Sequence, residues 1–163
     1  MIDAAFLITG FVTLFVVIDP IGLTPMFIAL TQGYSPQERR RIAFVTCFTA
    51  FVILVVFSLF GEAVLGFVGI SMPAFRVAGG VLLFLTARDM LFERRAKRRE
   101  GQTEEEQPDP SIFPLAIPLT AGPGSIATVI LLSGQHPDLV GVLSIIGIIA
   151  AVIVLVLSFY LAS

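Results

Sequence analysis

The chain has 163 residues and is 56% hydrophobic before its 14 glycines are counted, while only 13% of it is charged. About 25% charge is usual in a soluble domain, and one of this length has too little interior to hide so much apolar surface. A net charge of −2, a single cysteine (Cys47) and a single histidine (His136) exclude a nucleic-acid footprint, an internal disulfide, a thiolate cluster and a His-rich metal centre.

Most charges fall within 38–41 and 88–109, which leaves long uncharged stretches between them. The chain therefore reads as an all-α, polytopic membrane helix bundle. Five apolar stretches, 4–31, 42–60, 72–87, 112–133 and 139–162, are long enough, or nearly so, to cross a hydrocarbon core of about 30 Å. Their unbroken hydrophobicity argues against a β-barrel. The first follows Asp3 and has neither a basic leader nor a small-residue cleavage site, so it is a retained span. It is too long for one upright helix and contains Asp19-Pro20-Ile21-Gly22-Leu23-Thr24-Pro25. Stretches two and five lack proline and read as plain helices. The third is short and carries Arg76 near one end. The fourth contains Pro114, Pro118 and Thr120-Ala121-Gly122-Pro123-Gly124.

Basic residues set the orientation. Arg39, Arg40 and Arg41 follow the first span, and Arg94, Arg95, Lys97, Arg98 and Arg99 follow the third. Alternation puts both loops on one side, the cytoplasmic one. The N-terminus and the loops 61–71 and 134–138, which hold no Lys or Arg, are expected outside. The block 93–111 is a charged cytoplasmic linker that can also meet anionic lipid headgroups. It divides a first repeat, 1–92, from a second, 112–163.

At an offset of 98 residues Pro20 matches Pro118, Pro25 matches Pro123, Ile28 matches Ile126 and Ala29 matches Ala127. Three spans in the first half force the second half to insert upside down. Paired broken helices in an inverted three-plus-three repeat are a transporter signature. The counterpart of the third span would lie beyond Ser163, so five spans are expected here and a sixth in the full repeat.

Breaks inside lipid survive only against protein or a wet cavity, because the freed carbonyls need partners. Pro20, Gly22, Pro25, Pro118 and Pro123 are the expected break residues. Thr24 is expected to cap a half-helix starting at Pro25, and Gly122 one starting at Pro123. The two half-helix amino ends would then face each other near the midplane. Met26, Phe27 and Ile28 on one side, and Gly124, Ser125 and Ile126 on the other, would offer N–H groups to a carboxylate. Thr24, Thr120 and Ser125 would add hydroxyls, and Gly122 and Gly124 close backbone approach. Asp19 is expected to hold a substrate ammonium group or a coupling proton; capping of the segment that starts at Pro20 is its structural alternative. Arg76 is a gating candidate, pairing with Glu62 or Asp19 or snorkelling to the surface. Gly79-Gly80 and Ala74-x3-Ala78 permit close helix packing.

The motif 19–27, the run Gly69-Ile70-Ser71-Met72-Pro73-Ala74-Phe75-Arg76-Val77-Ala78-Gly79-Gly80 and the run Phe113-Pro114-Leu115-Ala116-Ile117-Pro118-Leu119-Thr120-Ala121-Gly122-Pro123-Gly124 together resemble the MarC family of integral membrane proteins. The resemblance implies six spans and a place among amino-acid exporters and related carriers. The expected function is secondary transport of small neutral amino acids by alternating access in a prokaryotic cytoplasmic membrane, coupled to protons or, through carbonyls at the breaks, to Na⁺. No cofactor and no enzymatic activity are expected, since one histidine in an outer loop supplies no nucleophile–base pair. A channel for anions or small solutes and a non-transporting scaffold are the alternatives. The expected partners are the substrate and membrane lipid; a homo-oligomer is left open.

Overall fold

A computed structural model describes residues 3–91 and 109–163. Its elements are α1 (Ala4–Ile18), α2 (Pro20–Leu30), α3 (Pro36–Val68), α4 (Met72–Leu91), a kinked π-helical coil Ser111–Thr120, α5 (Pro123–Ser133) and α6 (Leu139–Ala162). Among the described residues every regular element is helical, as a membrane helix bundle requires.

The helix starts follow from side-chain capping. Asp3 accepts a hydrogen bond from the Phe6 N–H at 2.8 Å and opens α1. Ser35 and Glu38 form a reciprocal capping box, with Pro36 in the first helical position. That box draws the polar residues 36–41 into α3, ahead of where hydrophobicity alone would start it. At the far end Gly69 takes the left-handed conformation (φ 82°) and its N–H closes on Leu65 and Gly66. The helix is thus 33 residues long, about 50 Å at 1.5 Å per residue. Most of the loop expected at 61–71 is therefore helix, and only 69–71 breaks it.

Two long helices form the centre. α3 and α6 pack on one another; α3 also holds the coil and α5, while α6 holds α1 and α2. Ala43, Ala50, Leu54, Ile145, Ile149 and Val152 are fully buried in this seam. Thr46 Oγ1 donates to the Ser111 carbonyl at 2.9 Å, and the Ser58 and Ser133 hydroxyls share a hydrogen bond of 2.9 Å. α4 packs chiefly against α5. The outward faces carry Ile8, Phe48, Phe60, Val77, Phe84 and Leu143, all more than half exposed, a surface suited to acyl chains and not to water.

Among the described residues three helices, Ala4–Leu30 taken as one, Pro36–Val68 and Leu139–Ala162, are long and apolar enough to cross a membrane, and the bent pair Ser111–Thr120 and Pro123–Ser133 adds a fourth if it is counted as one span. The five spans read from the sequence are not all met by that measure: α4 carries Arg76, Arg88 and Asp89 within its 20 residues. The linker 93–111 and its lipid-facing arginines lie outside the described residues, apart from 109–111. There Ser111 donates to Asp109 Oδ1 through both its N–H (3.0 Å) and its hydroxyl (2.5 Å). Those bonds hold the Asp109 carboxyl below its ordinary range, helped by the nearby Arg41 charge.

Candidate functional site

The first break falls at Asp19. This residue adopts the left-handed conformation (φ 59°, ψ 65°), which aspartate tolerates better than most residues. Its N–H closes α1 on the Phe15 carbonyl at 2.9 Å. Its Oδ1 accepts from the Gly22 N–H at 3.0 Å, and its carbonyl accepts from Leu23 at 2.9 Å. One residue thus ends α1 and starts α2, with Pro20 in the first helical position. Asp19 makes further contact beyond these bonds.

This corrects the expected geometry of the first span. Pro25 lies inside α2 and does not start it; it removes one internal hydrogen bond without ending the helix, as membrane helices allow. Thr24 is not a cap: its hydroxyl donates back to the Pro20 carbonyl at 2.8 Å. The Met26, Phe27 and Ile28 amides sit in the middle of a helix and are not first-turn donors. Phe27 stacks on Tyr160 at 4.3 Å between centroids, and the Arg39 guanidinium lies over the Phe27 ring at 5.8 Å. Met26 is buried in the same stretch of α2.

The second break lies where the sequence places it. Phe113 and Ile117, each before a cis-proline, have extended φ/ψ within the coil. The coil then meets α5 at an angle of 56°. Gly122 is the cap residue (φ −88°, ψ 173°) and Pro123 the first of the helix. A Cβ on Gly122 would overlap the Pro118 carbonyl oxygen, so only glycine lets the chain fold back here.

No side chain caps α5, and the carbonyls that would pair with the Gly124 and Ser125 amides lie before the helix begins. Both amides face the break at the positive end of the helix dipole. The hydroxyls near them are already committed. The single Ser125 hydroxyl proton lies within reach of both the Thr120 and the Gly122 carbonyls, each 3.0 Å from Oγ, and Thr120 Oγ1 donates to the Leu115 carbonyl at 2.8 Å. The Ser125 and Thr120 hydroxyls therefore satisfy the carbonyls that the break exposes, and are not free donors as expected.

The last turn of α1 lies against the second break. A Cβ at Gly124 would lie 3.0 Å from Val17 Cγ1 and 3.9 Å from Thr86 Oγ1. The end of α1, two residues before Asp19, thus sits against the start of α5, with α4 closing the third side. Asp19, Gly124 and Thr86 are all half-buried. Thr86, missed by sequence reasoning, is the one hydroxyl in the apolar run 77–87, and that isolation was the available signal. Arg76 stands ten residues earlier on α4, about 15 Å along its axis. It is exposed and makes no ion pair among the described residues.

Comparison with known proteins agrees with this reading of a membrane chain. The family model of the MarC family integral membrane proteins matches residues 4–163. A UPF0056 membrane protein of Methanocaldococcus jannaschii is 45% identical over 78% of this chain and 58% of its own length. YvbG, a UPF0056 membrane protein of Bacillus subtilis, is 37% identical over 96% of this chain and 76% of itself. The UPF0056 inner membrane protein YhgN of Escherichia coli is 36% identical over 83% and 68%. The chain thus spans between 58% and 76% of these relatives' length. No solved structure matches it. Three motifs in order, an all-helical apolar bundle and a match that runs from residue 4 to residue 163 together place the chain in the MarC family of integral membrane proteins.

Proposed function

We propose that the protein is a secondary transporter of small neutral amino acids, working by alternating access in a prokaryotic cytoplasmic membrane. The observation that carries this is the meeting of the last turn of α1 at Val17, two residues before the Asp19 turn, with the amino end of α5 at Gly124 and Thr86 of α4. The Gly124 and Ser125 amides receive the substrate carboxylate. Asp19 faces its ammonium group and carries the coupling proton.

The packing supports an inverted relation between the halves. The long helix of each half, α3 or α6, packs on the broken span of the other, so rocking one half must move the other half's break. In this reading the N-terminus lies outside, the basic segments lie inside, and α4 counts as a span despite its charges. Bacterial and archaeal relatives support the choice of membrane.

Counterflow in proteoliposomes tests the proposal. Vesicles preloaded with unlabelled alanine should transiently accumulate labelled alanine. Asp19→Asn should lower the initial rate at least tenfold, because asparagine keeps the cap and the left-handed backbone and removes only the charge. Absence of accumulation with alanine, glycine, serine and threonine, from folded protein, would sink the amino-acid reading. Dissipation too fast for a carrier, without stimulation by substrate on the far side, would indicate a channel. A scaffold would tolerate Asp19→Asn in every assay.

A further inference from the structure

α4 is held more lightly than the two central helices. Of residues 72–88 only Gly79 is buried. Among the described residues no side chain between 72 and 87 hydrogen-bonds to another element; Thr86 Oγ1 donates within α4, to the Leu82 carbonyl at 2.9 Å. Two glycine contacts seat the helix on α5. A Cβ on Gly79 would lie 3.0 Å from Leu131 Cδ1, and one on Gly134 would overlap Met72 Cε. With no side chain on the glycine to interlock, such seats let packed helices slide and roll.

The two flanks of α4 meet different surroundings. Leu83 and Thr86 stand beside Gly124, whose nearest other neighbour is Val17 of α1. Phe75, Ala78 and Leu82 instead line an apolar cleft of about 410 Å³, whose opposite wall includes Phe57 and Val64 of α3. α4 thus packs on α5 and lightly on α1, while the cleft holds it off α3. Close-packed interiors keep few voids larger than a water, so this space is wide enough to take a side-chain layer. The link between α3 and α4 is residues 69–71 alone. Gly69 has φ 82°, and a Cβ there would meet nothing within 4 Å, so this joint can turn without striking a neighbour. Thr86 lies 14 residues beyond the start of α4, about 21 Å along its axis, where a small rotation at the joint gives a large displacement.

We infer that α4 is a gate with two positions. In one, the position described above, it lies against α1 and closes the junction of Val17, Gly124 and Thr86. In the other it swings about Gly69 into the cleft and packs on α3 at about 8–10 Å between axes. That movement opens the junction on its α1 side. Packed elements favour discrete arrangements over a continuum, and the unfilled cleft supplies the second one. The gate does not depend on what the junction binds, so it stands or falls apart from the transport reading.

Distances between paired spin labels on cysteines, in a Cys47→Ser background reconstituted in lipid, test this. One protein carries labels at Val81 of α4 and Val56 of α3, another at Val81 and Val12 of α1; all three positions are exposed. Thr86→Phe crowds the junction, and should shorten the α3–α4 distance by several ångströms while lengthening the α1–α4 distance. Ala78→Phe fills the cleft from the other flank, and should leave only the long α3–α4 and short α1–α4 distances. Leu82→Trp, one turn further along α4, should match Ala78→Phe and guards against a local distortion. Distances that ignore all three substitutions would overturn the inference and mark the cleft as a static seat for lipid acyl chain. So would a joint lengthening of both distances, the sign of a helix that has come away from the bundle.

Discussion

Asp19 works through its backbone and its carboxylate at once, and the two roles separate by substitution. The left-handed backbone suits Asp, Asn or Gly, whereas the cap on Gly22 needs a side-chain oxygen. Asp19→Ala should therefore lose about 1 kcal/mol of cap and a further 1–2 kcal/mol of backbone conformation. Asp19→Asn should stay within about 0.5 kcal/mol of wild type; thermal unfolding of the two variants in detergent compares them. Gly22 adds a steric condition, because a Cβ there would overlap the Asp19 carboxylate. Gly22→Ala should expel that carboxylate from its cap and cost transport as well as stability. At the surface, Asp109 gives a pH signature. Its folded carboxyl sits below its ordinary range, so the stabilisation is present above the unfolded pKa and is lost as pH falls through the folded one. Acidifying from pH 7 towards pH 3 should free residues 109–111, seen as faster proteolysis there, and Asp109→Asn should flatten that dependence. The Arg41–Asp109 pair, at 4.0 Å and well exposed, should contribute little.

At the scale of elements, α3 grips the second broken span at both ends. Thr46 holds the start of the coil through Ser111, and Ser58 holds the end of α5 through Ser133. Thr46→Val and Ser58→Ala should each cost about 0.6 kcal/mol, typical of such bonds between membrane helices. The sites are 12 residues apart, about 18 Å on one helix, so their effects should add in the double variant. Denaturant unfolding in mixed micelles measures both. The same elements show how far the sequence could be read. α6 was legible to the residue, since 139–162 holds no proline or charge, and hydrophobicity alone bounds it. α3 was legible in its middle only, because the Ser35–Glu38 box recruits polar residues that no hydropathy window would include. The second break was legible because Gly122-Pro123 offers a cap and a first-turn proline directly ahead of an uninterrupted apolar run. The first was placed five residues late, since Thr24-Pro25 offers a cap and a first-turn proline just as Asp19-Pro20 does. Only packing chose between them. The role of Thr86 was illegible in principle: its neighbours Val17 and Gly124 are distant in the chain.

Across the whole molecule, the two halves are interlocked at the end that bears Arg39, Arg40 and Arg41. Phe27 of α2 stacks on Tyr160 of α6 with 9° between the rings, and Arg39 of α3 covers it while donating from Nε to Thr31 Oγ1 at 3.2 Å. This contact ties α2, α3 and α6 together at that end, a closure on the cytoplasmic side in the proposed orientation. Arg39 Nη2 is buried and has no hydrogen-bond partner among the described residues, so the closure carries an unpaired donor. An alternating-access carrier needs such a closure, one strong enough to seal and weak enough to release. Cys47 is the only cysteine, so Cys47→Ser provides a background in which Thr86→Cys reports access to the junction. Impermeant thiol reagents applied from the basic-loop side should label that cysteine about tenfold faster when Phe27→Ala removes the stack. Labelling from the opposite side should fall at the same time, since a population shifted to one open state is withdrawn from the other. An equal rise from both sides would mean a loosened fold and no exchange between two access states. Unchanged labelling from both would place the closure elsewhere.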